Sequence, residues 1–255
     1  MTLAIRPAHA ALLASIRQAP GSPRVVVIGA VAVAYHVPLG RETGDVDLVI
    51  VAEEPEVAAI LTTADWVQEN ATQRWRHEES ASIVDVLPAT PRILRDGRLR
   101  FEGGGTELCM VGFDLALSHT VLVAIEHGPL SVEVAKRPAL VMLKMVAWLD
   151  RPYERTRDLG DIARILDLSL DEWDTRRWQE PFVVLESEDQ SPFFVGRELA
   201  AIVGDHHRSK VEAFFERMET EAWLAVMARG ARWVGADLEG MARRRLRAFR
   251  DGLGL

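Results

Sequence analysis

Asp45 and Asp47 open the run Asp45-Val46-Asp47-Leu48-Val49-Ile50, and that combination leaves a chain little choice of local structure. An apolar, β-branched run of this length reads as a strand. Side chains alternate along a strand, so the two carboxylates sit side by side on one face. Like charges held so close are unfavourable unless a cation lies between them. Hard oxygen ligands at this spacing suit Mg²⁺, and Mg²⁺ in a protein commonly serves phosphate chemistry.

The flanking sequence supports a mixed α and β domain. Residues 1–18 read as an amphipathic helix, which the breaker cluster Ala19-Pro20-Gly21-Ser22-Pro23 ends. Residues 24–28 form a short, fully apolar β-branched strand, the pattern of a buried central strand. Gly29 closes it, and residues 30–37 start a helix that Pro38 and Gly40 end. The next strand covers 46–51. Residues 55–63 are helical, with Glu53 and Glu54 favourable near the N-terminus. A third strand spans 82–87 and stops at Pro88. Asp96-Gly97 is a hairpin-turn signal, and Gly103-Gly104-Gly105 reads as a flexible loop. Residues 120–125 and 130–135 form a β-hairpin around Glu126-His127-Gly128-Pro129.

Past Lys136-Arg137-Pro138 the texture becomes helical, with helices expected over 139–149, 157–168, 170–178, 197–203, 209–227 and 236–249. Pro138 suits the first turn of the first of these. The expected division is therefore an α+β domain over 1–135, a mixed sheet with flanking helices, followed by a mostly α-helical domain over 136–255. A chain of 255 residues accommodates two such domains. The formal net charge of −8 argues against a broad, sequence-independent nucleic-acid binder. Cys109 is the only cysteine, which rules out an intramolecular disulfide and a cysteine-rich metal site and suits a small buried apolar position. There is no convincing secretion signal and no apolar stretch near the roughly 18 residues of a membrane span, so the cytoplasm is the expected location and no membrane partner is expected.

Several further residues gather around the aspartates. Gly29 lets the backbone pass close to a ligand, and the helix beginning there points its amides toward it. Arg41 and Thr43 add a guanidinium and a hydroxyl able to contact a triphosphate or orient an aspartate. Asp85 is a carboxylate in a strand that otherwise reads as buried, so it needs a partner; Asp65 and Asp114 are also available as a third carboxylate. Lys144 shares a helix face with Ala147 and Trp148, where it either snorkels or points at an anion. Asp158 and Asp161 share another face, near a helix N-terminus whose dipole they would complement. His36, His77, His119 and His127 lack ligand-like spacing, and the adjacent His206 and His207 cannot share one face. The basic run Arg243-Arg244-Arg245-Leu246-Arg247 with Arg250 reads as a solvated helix face.

Val27-Ile28-Gly29-Ala30 followed by Gly40-Arg41-Glu42-Thr43-Gly44-Asp45-Val46-Asp47-Leu48 resembles the opening motif of the polymerase-β-type nucleotidyltransferase superfamily, and within it the bacterial AbiEii/AbiGii-like (MenT-like) enzymes. The block from Lys136 to Arg151 and the run Arg157-Asp158-Leu159-Gly160-Asp161-Ile162 are similar to the later motifs of the same family. The resemblance implies that Asp45, Asp47 and Asp85 are catalytic and hold two Mg²⁺ ions, with Mn²⁺ as a substitute, Asp85 also taking a proton. It implies that Gly29, Ala30, Arg41, Thr43, Lys144, Arg151, Asp158 and Asp161 belong to the NTP site, in a cleft between the domains. Many members carry Gly-Ser or Gly-Gly where this chain has Gly29-Ala30; Ala30 lacks the hydroxyl and leaves only the backbone contact. The activity implied is transfer of an NMP from an NTP to an acceptor hydroxyl. A toxin of a toxin–antitoxin or abortive-infection system would act on tRNA or protein and have a cognate antitoxin. The alternatives are a small-molecule, aminoglycoside-type enzyme and a catalytically silent nucleotide-binding module.

Overall fold

A computed structural model describes residues 2–70, 72–101, 107–126 and 129–255. The chain forms two compact units, Met1–Tyr35 with Gly40–Lys136, and His36–Leu39 with Arg137–Leu255. The architecture is α+β: a mixed sheet with flanking helices, then a mostly helical half.

The first unit is built on a seven-stranded sheet. Its strands are β1 (Val25–Ile28), β2 (Asp45–Ile50), β3 (Trp66–Gln68), β4 (Arg74–His77), β5 (Ile83–Pro88), β8 (Thr120–Ala124) and β9 (Ser131–Ala135). Their order is β3-β4-β5-β2-β1-β9-β8. The pairs β2/β5 and β1/β9 are parallel and the other neighbours antiparallel. β1 and β2 lie in the middle, as their apolar runs require, and Val26, Val27, Val49 and Ile50 are fully buried. Helices α1 (Pro7–Gln18), α2 (Gly29–His36), α3 (Glu54–Thr63), α4 (Pro91–Asp96) and α5 (Phe113–Ser118) complete the unit with a small hairpin of β6 (Arg98–Arg100) and β7 (Glu107–Cys109). At the start of α3 the backbone N–H of Glu53 donates to Glu56 Oε2 at 3.3 Å.

Some local expectations give way. Asp96-Gly97 is not a hairpin turn: Gly97, at φ +67°, caps α4, whose start is set by Thr90 and Pro91. Cys109 is half-buried rather than buried. Strands β3 and β4 and helix α5 are additional elements. The glycine run 103–105 and the turn residues His127 and Gly128 lie outside the described residues.

The second unit contains α6 (Arg137–Asp150), α7 (Thr156–Leu168), α8 (Ser187–Ala200), α9 (Asp205–Met218), α10 (Glu221–Ala231) and α11 (Leu238–Leu253). Residues 170–178 are a 3₁₀ turn over Thr175–Trp178 preceded by irregular chain, not one helix. Helix α8 begins ten residues before the expected start at 197 and runs through Pro192. The expected helix 209–227 is two helices, broken at Glu219-Thr220. In the basic run, Arg243, Arg247 and Arg250 are exposed, but Arg245 is buried and donates to Asp167 at 2.7 Å. Arg244 pairs with Asp189 at 2.8 Å. Among the described residues, no helix is long and apolar enough to cross a membrane.

Helices α8 and α11 cross with their backbones in contact. A Cβ on Gly196 would overlap the Phe249 carbonyl oxygen and sit 2.9 Å from the Gly252 Cα. Overpacking of this kind costs about 1–3 kcal/mol. Gly196→Ala is expected to lower the urea midpoint accordingly, with an unchanged denaturant slope.

Candidate active site

The sheet register assembles the acidic residues. Asp47 of β2 lies opposite Asp85 of β5, and Asp85 lies opposite Arg74 of β4. On the other side Asp47 faces Ile28, the last residue of β1, directly before Gly29. Asp45, two residues before Asp47, shares its face. Three carboxylates and a guanidinium therefore line one face of three adjacent strands, while Val46, Leu48, Val84 and Val86 are buried on the other. The apolar side anchors the strands and fixes the register; a slip by one residue would turn the carboxylates into the core.

Arg74 is the residue that sequence reasoning missed. Its Nε donates to Asp85 Oδ1 at 2.9 Å and its Nη2 to Asp85 Oδ2 at 3.0 Å. The same Nη2 lies 3.6 Å from Asp45 Oδ2. The hydrogen-bonded Asp85 raises the already high guanidinium pKa, and Asp45 adds to the effect. The signal was present in Arg74-Trp75-Arg76, where one buried tryptophan between two arginines has the period of a strand. Asp85 thus has the partner its burial demanded. Asp65 stands at a positive-φ turn after α3, and Asp114 lies on α5, so neither shares this register.

Gly29 has φ +67° and begins α2. A Cβ there would fall within the Asp47 carboxylate, 2.5 Å from Cγ. The close approach expected of Gly29 is therefore first an approach to Asp47. Gly29→Ala is expected to displace Asp47 and to strain the backbone by about 1–2 kcal/mol. The prediction is checked by a lowered melting temperature. Ala30 is half-buried beside Gly29, and Arg41 is half-buried on the loop leading to β2. The Thr43 hydroxyl donates to the Asp45 backbone oxygen at 3.2 Å and reaches Asp45 Oδ1 at 3.4 Å, so it orients the aspartate.

His9 was also missed. It is buried in α1, its Nε2 donates to the Ile83 carbonyl at 2.8 Å, and its ring stacks on Trp66 at 5.8 Å. Burial lowers its pKa, keeping it neutral at the strand end that leads to Asp85.

Within the second unit, Lys144 of α6 meets Asp158 and Asp161 of α7. Its Nζ donates to Asp158 Oδ1 at 2.8 Å and to Asp161 Oδ2 at 2.7 Å. All three residues are buried, and Asp158 Oδ2 has no hydrogen-bond partner among the described residues. Burial works against the ammonium charge, but the two carboxylates outweigh it and the Lys144 pKa is raised. The anion at which Lys144 points is thus this carboxylate pair. Arg151 is not part of the cluster; it makes 3.7 Å contacts with Asp150 and Glu154 at the end of α6. His207 is buried, and its Nδ1 accepts from the Gly204 N–H at 3.1 Å.

A family model described as nucleotidyl transferase AbiEii toxin, Type IV TA system, matches residues 11–244. Among solved structures, the chain is similar to the antibiotic-resistance factor ANT(2'')-Ia, at 14% identity and TM-score 0.42, over 83% of this chain and 95% of that one. It is similar to JHP933 from Helicobacter pylori at 13% identity and TM-score 0.42, over 97% and 89%. A third similarity, at 14% identity and TM-score 0.38 over 61% and 72%, is to an antigenic nucleotidyltransferase-like protein from Paracoccidioides brasiliensis. No curated protein matches the chain.

Proposed function

The chain belongs to the AbiEii nucleotidyl transferase toxin family and is a nucleotidyltransferase, and we propose that its reaction moves an NMP from an NTP to an acceptor hydroxyl on the face formed by Asp45, Asp47 and Asp85. The observation that supports this reading is the register of β4, β5 and β2, which brings three carboxylates and Arg74 to one face beside the glycine-led start of α2. The donor set is all oxygen, the kind of donor a hard divalent ion takes. Asp45 and Asp47 would hold Mg²⁺, or Mn²⁺ in its place. Bound there, such ions lower the pKa of an attacking hydroxyl and offset charge on the leaving pyrophosphate.

The chain's own residues supply the rest. Thr43 fixes the Asp45 rotamer. Gly29 gives Asp47 the space it occupies, and the amides opening α2 would offer donors to anionic oxygens. Both Asp85 oxygens accept from Arg74, which suits Asp85 to hold charge in place better than to accept a proton. Arg41, on the loop that leads to β2, is proposed as a triphosphate contact. Within the second unit, Lys144 spends two of its three donors on Asp158 and Asp161.

The acceptor of a toxin in this family is proposed to be a cellular macromolecule, RNA or protein, with a cognate antitoxin opposing it. The test is incubation of the protein with each α-labelled NTP, Mg²⁺, and total cell RNA and protein. Label is expected in one pool, dependent on Asp47, and absent when the same NTP carries the label at its γ-phosphate. Transfer of the γ-label, or none of the α-label with either pool, overturns the reading.

A further inference from the structure

Arg74 stands where a cation belongs on an acidic face. Its fork holds both Asp85 oxygens at 2.9 and 3.0 Å, the planar geometry in which arginine binds carboxylate best. Its 3.6 Å contact with Asp45 is beyond hydrogen-bond length and acts through charge alone. The two contacts also differ in shelter. The Asp85 side chain is 13% exposed and that of Asp45 43% exposed. Arg74 is therefore fixed at its Asp85 end and loosely held, in contact with solvent, at its Asp45 end.

The geometry points to Arg74 as a positioning residue: a tethered cation that locks Asp85 in the carboxylate row and competes with free divalent ions for Asp45. The inference rests on the metal-binding reading of Asp45 and Asp47 given above. A guanidinium keeps its charge at every pH the protein experiences, so this competition is permanent. Its consequence is a face that binds free metal weakly. A nucleotide brings several phosphate charges to the same place, and those charges shift the balance toward the ion. Arg74 would thus make metal loading depend on the arrival of NTP.

Binding of Mn²⁺ without nucleotide, read from the electron paramagnetic resonance signal of the free ion, tests this without any turnover. Arg74→Met removes a positive charge a few ångströms from the ion and is expected to tighten binding about tenfold. Arg74→Lys keeps the charge as a point cation and is expected to stay within about threefold of wild type. Thermal melts establish that each variant is folded, and Arg74→Gln replaces Arg74→Met if the latter is not. A folded Arg74→Met or Arg74→Gln protein that binds Mn²⁺ no more tightly than wild type overturns the inference. So does an Arg74→Lys protein that gains as much affinity as Arg74→Met, because charge would then not be the cause. Asp47→Asn separates this failure from failure of the underlying reading. If Asp47→Asn leaves Mn²⁺ binding intact, the metal site itself is wrong and the inference falls with it. If Asp47→Asn abolishes binding while Arg74→Met fails to strengthen it, only the role of Arg74 is refuted.

Discussion

Asp47→Asn, and separately Asp45→Asn, should cut NMP transfer by about a thousandfold, which corresponds to about 4 kcal/mol of transition-state stabilisation. A carboxylate that holds a divalent ion contributes on this scale, because the ion's charge stabilisation is worth several kcal/mol in a site of this kind. Asparagine keeps the shape, so the fit of Asp47 against Gly29 survives, as does the contact of Thr43 with the backbone oxygen of Asp45. Removing one of three neighbouring negative charges relieves repulsion, so the melting temperature is expected to stay level or rise. Both readouts matter. Single-turnover assays with α-labelled NTP measure the loss, and circular dichroism establishes that the fold is retained. Unchanged transfer by both folded variants would remove Asp45 and Asp47 from the chemistry.

The sequence made these two residues visible because their surroundings are regular. Strands β1, β2, β5 and the β8/β9 hairpin are runs of valine, isoleucine and leucine, whose pattern survives without tertiary information. Strands β3 and β4 are only three and four residues long, with Trp66 and Trp75 as their buried anchors. Such strands exist because a neighbour pairs with them, and no local periodicity announces that. Arg74 went unnoticed for this reason: its role is defined by a residue eleven positions away across a strand pair. The irregular stretch 170–178 illustrates the same limit. Arg177 donates to the carbonyls of Leu170, Asp171 and Ser187, and Gln190 to those of Arg177 and Phe182, so side chains satisfy a backbone that helical spacing alone would have made a helix. Helix α8 departs the other way: it starts ten residues before the expected 197 and carries Pro192 within it.

Lys144, Asp158 and Asp161 were each legible as helix-face residues, but their meeting depends on α6 and α7 packing as a hairpin. That meeting sets the largest stability effect expected in the second unit. Lys144→Met keeps the length and apolar stem of the side chain but leaves two buried carboxylates facing each other. Breaking a buried ion pair by removing one partner costs about 3–5 kcal/mol, far more than a surface pair. Urea denaturation at pH 7 is expected to show that loss, with a normal slope and no change in Mn²⁺ binding by the first unit. A loss below about 1 kcal/mol would mean that the triad is hydrated like a surface pair. The pH dependence has a definite sign. The folded pKa of Lys144 lies above its ordinary value because Asp158 and Asp161 outweigh burial. Folding therefore favours the protonated lysine, and its contribution is complete below the unfolded pKa of about 10.4. It fades as pH rises from there through the folded value. Wild-type stability should fall along this alkaline limb, whereas Lys144→Met, with no ammonium to lose, should lack that part of the decline. The double variant Lys144→Met with Asp161→Leu should recover part of the loss, because it replaces one of the stranded carboxylates with an apolar group of similar volume.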